Sequence, residues 1–417
     1  MSKISNLDSK ELKNLFSTSK LNYGIPQGPK IVNQRRTVSY KSDKTSYANS
    51  DDVIIDFGST SEFIYGPNCY LSFDLTCSSA DGLVGVGSGA NVINVLKIVA
   101  KSGVNIEHIR DVATITAIQD KFTGCGDFIS TTGGLMGYRH IAARTESGAH
   151  TEGDGKVFGV KRKCIIPMHH ISGFFGQDRY IPISALGGLR LELTLNTGNV
   201  AFMEATAGTQ TITVENMELV CDNYRMSDAI LKYTEKLAES NRLFMTFPTY
   251  QWNKTSVSAN TSTNIDLKLS VAKCLGVYAR FRETKTTAAD EGKRDSITGA
   301  AMTELTSYQW IVGSEYHPVK PVTSGVQAYA EALKAFGNLS NTTRPPYVTL
   351  TEYLAGEHCI GVELEKDLSH SLMSGTSTNN KNSISLEIQL TQARDVSTWI
   401  QYVQAVRVVE GNVRTER

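Results

Sequence analysis

Neither sign of charge is in excess in this chain: 42 Lys and Arg stand against 42 Asp and Glu in 417 residues. A protein whose task is to coat nucleic acid carries a clear basic excess, so that role is not indicated for the chain as a whole. Long apolar runs are missing too. No stretch approaches the ~18 apolar residues that a spanning helix needs. The opening Met1-Ser-Lys-Ile-Ser-Asn-Leu-Asp8 lacks the apolar centre of a secretory signal. The seven cysteines, Cys69, Cys77, Cys125, Cys164, Cys221, Cys274 and Cys359, are scattered, with no Cys-x-x-Cys and no tight Cys/His cluster. An odd number at wide spacing argues against a disulfide framework or a zinc site. Buried free thiols in a reducing compartment are expected, in a chain made inside a cell and not secreted.

Catalytic signatures are also missing. Gly85-Val-Gly-Ser-Gly89 lacks the Gly-Lys-Ser/Thr ending of a phosphate-binding loop and the third glycine of a dinucleotide fingerprint, and reads as a flexible loop. Met168-His-His-Ile171 offers adjacent histidines. If the segment is a strand, they point to opposite faces and do not share a metal. No Gly-x-Ser-x-Gly and no His-Glu-x-x-His occurs. Glu107, Asp111 and Asp178 are isolated carboxylates. Tyr278-Ala-Arg-Phe-Arg282 could suggest RNA stacking but reads as a strand with a charged solvent face. Sequons at Asn253, Asn260, Asn338 and Asn341 read as coincidences in a chain rich in Asn, Ser and Thr. No catalytic, cofactor-binding or metal-binding residue is assigned. The expectation is a non-enzyme without a cofactor.

What the chain does have is period-two alternation. Leu189-Arg-Leu-Glu-Leu-Thr-Leu195 sets four leucines on one face and polar side chains on the other. Ile265–Val271, Ile384–Leu390 and the shorter Leu71–Leu75 repeat the pattern, which suits strands with one face on a core and one toward water. Val53–Phe57, Val95–Ala100, Thr211–Val220, Val277–Phe281, Tyr308–Val312 and Trp399–Val409 are further predicted strands. Runs of Gly, Ser, Thr and Asn separate them, as in sandwiches and barrels. Helical spacing is limited to Ser227–Glu239, behind a capping serine, and Ser324–Phe336, stopped by Gly337. Asn105–Ile118 fits helix and strand equally.

These signals predict an all-β chain of two tandem sandwiches with a few short helices in the connections. The helix at 227–239 links the first unit, residues 42–226, to the second, residues 240–417. Each is about the length of one eight-stranded jelly roll with long loops. Residues 1–41 hold eight basic and two acidic side chains, a net of +6, and few apolar residues. They read as an extended arm outside the core.

Several passages carry a resemblance. In Cys164–Leu195 an apolar strand and the aromatic turn Gly173-Phe-Phe-Gly176 lead to Tyr180-Ile-Pro-Ile183 and then to the alternating strand. Thr213–Asp222 follows as a closing strand. Tyr308–Val322, with Gly313, Pro318 and Pro321, precedes the amphipathic Ala328–Phe336. The order resembles that of double jelly-roll major capsid proteins of polinton-like viruses, adintoviruses and their relatives. The resemblance implies a trimeric, pseudo-hexagonal capsomer in an icosahedral shell, often around double-stranded DNA and sometimes around an internal membrane. It also implies neighbouring capsomers, penton proteins and minor capsid proteins as partners, location in the virion, and a weak contact of the basic arm with the genome or an inner membrane. Two other readings stand beside it: a single jelly-roll capsid protein with a protruding domain, and an adhesive or carbohydrate-binding β-sandwich protein.

Overall fold

The computed structural model describes residues 31–58, 62–78, 83–84, 88–124, 132–137, 161–197, 203–204, 211–283, 299–340, 345–365, 374–378, 383–409 and 412–416. In the first half, β1 (Val32–Lys41), β2 (Asp52–Phe57), β3 (Tyr70–Ser78), β4 (Ile93–Ala100), β5 (Asn105–Arg110), β6 (Arg162–Pro167), β7 (Leu189–Leu195) and β8 (Thr211–Met226) build two antiparallel sheets. Their orders are β1-β8-β3-β6 and β2-β7-β4-β5. In the second half the strands are β9 (Phe244–Val257), β10 (Ser262–Leu267), β11 (Cys274–Glu283), β12 (Leu305–Val312), β13 (Glu315–Val322), β14 (Ile360–Glu363), β15 (Ile384–Leu390) and β16 (Arg394–Val409). These pair as β9-β16-β11-β14 and β10-β15-β12-β13. The second set is the first with eight added to every strand number. Each half is thus an eight-stranded jelly roll. Short strands at Ser46–Tyr47, Phe63–Tyr65 and Tyr180–Pro182 extend the first sheet, and β17 (Asn412–Glu416) folds back on β16.

Alternation becomes burial where the pattern is strict. Leu189, Leu191, Leu193 and Leu195 are all buried while Arg190 is exposed. Leu191 lies between Ile55 on β2 and Ile98 on β4, so three apolar side chains meet on the inner face. On β15, Leu386 lies in the same way between Ile265 and Trp310. One apolar cluster runs without a break through both rolls.

The structure departs from the sequence reading at several places. Val32–Lys41, expected in the arm, is β1 and pairs with β8 along most of its length, so the first roll begins ten residues before the expected boundary at 42. Its side chains are mostly exposed, which is why it carried no core signal. Residues 1–30 of the arm lie outside the described residues. The alternating run 265–271 leaves the sheet after Leu267, and Val271 is instead held by the Thr378 hydroxyl, which accepts from its backbone N–H. Met168–Ile171 is a helical turn, not a strand.

Three α-helices among the described residues run to eleven residues or more: α1 (Val112–Thr123), α2 (Asp228–Glu239) and α3 (Gly325–Ala335). α2 follows Ser227, which caps it through its backbone carbonyl, accepting from Ile230 and Leu231 N–H, rather than through its side chain. Ile230 and Leu231 of α2 cover Phe63, Tyr224 and Met226 on the first roll. The ambiguous stretch 105–118 divides into β5 and the start of α1. Ten of the twelve α1 residues are buried, so the helix has no polar face to betray its period.

The buried face of β7 generates a prediction. Leu191→Ala should cost about 2–5 kcal/mol in urea denaturation. Arg190→Ala, at an exposed pair with Asp56, should stay within about 1 kcal/mol. Equal losses in the two variants would show that the face assignment is wrong.

Candidate functional site at the junction of the two rolls

α1 leaves β5 of the first roll and is embedded against the second. A helix ends with carbonyls that find no donor within the helix. Here the second roll supplies them. Val348 N–H donates to Lys121 O at 3.2 Å and Tyr347 N–H to Gly124 O at 3.0 Å. The Asn338 amide donates to Phe122 O. Phe122 stacks on Phe336 at 4.8 Å and meets Tyr353 edge-on at 6.1 Å. Gln119 donates to the Tyr250 hydroxyl at 2.6 Å, and Gln404 donates to Ile106 O at 2.8 Å.

Charge is buried with the helix. Lys121 is 1% exposed and pairs with Glu357 of the second roll at 3.0 Å. At the other end Arg282 reaches Asp111 at 2.9 Å and also donates to the Thr114 hydroxyl. Arg280 is fully buried and donates from Nε to His358 O at 2.8 Å. His358 lies against Phe281, and burial, with Arg280, Lys121 and Arg282 nearby, holds its imidazole well below the ordinary range. The expected charged solvent face of Tyr278–Arg282 is therefore corrected. Arg280 faces inward because the chain at 356–359 closes over it, and Arg282 is taken up by α1.

Glu107 on β5 is the second anchor. It is wholly buried and accepts from the Ser172 hydroxyl, Gly173 N–H and Phe174 N–H. Burial pushes its carboxyl up to about 7 against these hydrogen bonds. The loop it holds touches the second roll directly. Phe174 packs edge-on against Phe247 at 5.5 Å. A Cβ at Gly173 would lie 1.7 Å from Pro248 O, so only glycine permits this approach.

A cleft of about 780 Å³ lies beside this contact, lined among others by His169, His170, Arg179, Thr246, Lys273 and Gln401. His170 contacts Asp120, while burial lowers the His169 pKa. The other flagged carboxylates are already engaged, Asp111 with Arg282 and Asp178 with the Tyr65 hydroxyl. Among the described residues, no three His, Cys, Asp or Glu side chains gather to hold a metal ion. Residues 85–87 of the glycine-rich segment lie outside the described residues. Ser88 and Gly89 open a buried 3-10 turn. Cys69, Cys164, Cys221, Cys274 and Cys359 are buried free thiols, and burial pushes Cys274 and Cys359 up to about 12. The arrangement suits cohesion between two rolls. Lys121, Glu357 and His358 escaped the sequence reading because nothing in their spacing distinguishes them from solvated polar residues, and Arg280 entered it only as part of a charged strand face.

No family model and no curated protein matches the sequence. Solved structures do match. PBCV-1 VP54, fitted into a reconstruction of the virophage Sputnik, superposes with a TM-score of 0.62 at 10% identity, covering 95% of this chain and 99% of that one. The Faustovirus major capsid protein gives 0.62 at 8% identity, covering 96% and 94%. The Sputnik virophage structure gives 0.53 at 8% identity, covering 96% and 92%. The chain has the double jelly-roll fold. The likeness runs nearly end to end in both partners, so both halves of the chain take part in the fold.

Two predictions follow from the junction. Lys121→Met strands the Glu357 carboxylate and should cost about 3–5 kcal/mol, whereas Lys121→Met with Glu357→Leu should recover most of that loss in urea denaturation. A double variant as unstable as the single one would show that the helix needs the charges themselves. Glu107, raised from an ordinary value near 4.5 to about 7, binds more protons folded than unfolded between those values. Stability is therefore greatest below ~pH 4.5 for this group and falls as pH rises toward 7, by on the order of 3 kcal/mol in all. Glu107→Gln, neutral throughout, should remove that part of the slope. An unchanged slope in thermal melts from ~pH 5 to ~pH 8 would contradict the assignment.

Proposed function

We propose that the chain is a viral major capsid protein whose trimers form pseudo-hexagonal capsomers of an icosahedral shell. The observation that carries this reading is the repeat of one strand order within a single chain. Two like rolls side by side give each copy two of six positions, so three copies complete a near-hexagonal block that can tile a surface. Similar folds belong to proteins described as the PBCV-1 virus capsid and the Faustovirus major capsid protein. A junction of packed aromatics, helix caps and buried ion pairs, with its carboxylates already bonded, fits a protein that works through interfaces. It favours a structural role over an enzyme, and over an adhesive sandwich with an open binding face. On this reading the protein resides in the virion, and its partners are its own copies, neighbouring capsomers, and penton and minor capsid proteins. The basic segment before β1 is assigned a weak contact with the genome or an inner membrane.

Permanent interfaces of this kind bury ~2,000 Å² or more, so the trimer should survive dilution. Light scattering on unassembled protein should report 136.8 kDa, three copies of the 45.6 kDa chain, across a wide concentration range. A stable monomer or dimer with no trimer at any concentration would overturn the capsomer reading.

A further inference from the structure

Two of the buried thiols face each other across a strand pair. Tyr70 on β3 pairs with Val220 on β8, and Leu71 pairs with Leu219. The next step of that register sets Cys69 opposite Cys221. Cys69 precedes β3 but is already extended, with φ −82° and ψ 140°. Its carbonyl accepts from Met168 N–H at 2.8 Å, on the side away from β8. The position facing Cys221 is therefore of the non-hydrogen-bonded kind, where opposed Cα atoms lie about 4.5 Å apart and side chains come closest. That spacing falls at the short end of the ~4.4–6.8 Å that a disulfide spans. Both side chains join the inner face with Leu71 and Leu219, Cys69 at 1% and Cys221 at 0% exposure.

The thiols also interact directly. Cys69 donates to Tyr65 O at 3.5 Å, and its sulfur shares a side-chain hydrogen bond with Cys221. That contact, ahead of burial, raises the Cys221 pKa well above the ordinary thiol range. Thiolate is scarce in such a pair, so it stays reduced toward weak oxidants. Elsewhere on the sheets thiols oppose aromatic rings instead, Cys164 across from Phe73 and Cys274 across from Tyr402. The pair also lies close to an entrance. Cys69 comes directly after the 3-10 turn Gly66–Asn68, of which Asn68 is exposed.

We propose that Cys69 and Cys221 form an oxidation site, a disulfide across β3 and β8 that closes when the folded chain meets hydrogen peroxide. Peroxide suits the site because it is close to water in size and the Cys69 sulfur lies one residue from the surface. It transfers an oxygen to the Cys69 thiol, giving a sulfenic acid and one water. The Cys221 sulfur then attacks that sulfur, the S–O bond breaks, and the oxygen leaves as a second water that takes up the Cys221 proton. In sum, two thiols and one peroxide give one disulfide and two waters. The new bond joins the two central strands of the sheet β1-β8-β3-β6. It closes a loop that contains β4 to β7, so it restrains the unfolded chain over most of the first roll.

The test treats the natively folded full chain with hydrogen peroxide and then unfolds it in excess alkylating agent. Peptide mapping by mass spectrometry should find Cys69 joined to Cys221, with the loss of two hydrogens, in material that runs as a single chain on a non-reducing gel. Dithiothreitol should reverse the link, and Cys69→Ala or Cys221→Ala should abolish it. The oxidised wild type should unfold at a urea midpoint at least about 0.5 M above that of the reduced protein. Thiols at both positions left free by peroxide would overturn the proposal. A sulfinic or sulfonic acid at either position without the link would do the same. A link that leaves the midpoint unchanged would overturn the restraint of the first roll. The mapping is read on the wild type, so it decides the matter even where an alanine variant fails to fold.

Discussion

The structure depends on one helix having no solvent face. α1 grows out of β5 in the first roll, yet its final carbonyls take their donors from Asn338, Tyr347 and Val348 of the second. A buried acceptor left without a donor costs about 1–3 kcal/mol. Pulling the rolls apart would give up these hydrogen bonds, the Lys121–Glu357 pair and the burial of the Phe122 ring together. The two jelly rolls are therefore a single folding and mechanical unit rather than beads on a linker. The short α2 connection, packed on Phe63, Tyr224 and Met226, supports the same conclusion from the other side of the first roll.

Buried charge gives this junction its specificity. Apolar packing of Phe122, Phe336 and Tyr353 would tolerate a small slide or rotation, because dispersion contacts are not directional. Lys121 with Glu357 and Arg282 with Asp111 are directional, and a shifted register would leave charges unpaired in a dry interior. Glu107 acts in the same way on the loop at 172–174. It trades desolvation of its carboxyl for three hydrogen bonds that hold Gly173 against Pro248.

Legibility of the sequence followed the geometry of exposure. The strands β7 and β15 could be read residue for residue, since each has one face in the core and a largely polar other face, so alternation is visible. α2 and α3 could be read because each keeps a polar face. α1 could not, because burial all round erases the period and its β-branched Val112, Thr114, Ile115, Thr116 and Ile118 suit strands equally. β1 was missed for the opposite reason: with mostly polar side chains, only its backbone pairing to β8 makes it a strand. The junction charges were invisible because partners 171 and 236 residues apart in the chain, as for Asp111 with Arg282 and Lys121 with Glu357, leave no spacing to detect. The duplication lies in strand order and not in residue identities, so two strand-rich stretches of similar length were legible while their matching order needed the topology.

On the proposed reading, a chain with two like rolls locked together is an asymmetric building block whose repeat from copy to copy closes. The same relation applied from one copy to the next must return to its start if the block is to tile a shell. Electron microscopy of the purified protein viewed end-on tests this most directly. The account predicts a closed ring of six similar lobes with threefold symmetry, the lobes alternating between first and second rolls. A two-lobed particle, or a ring with any other number of copies, would contradict it.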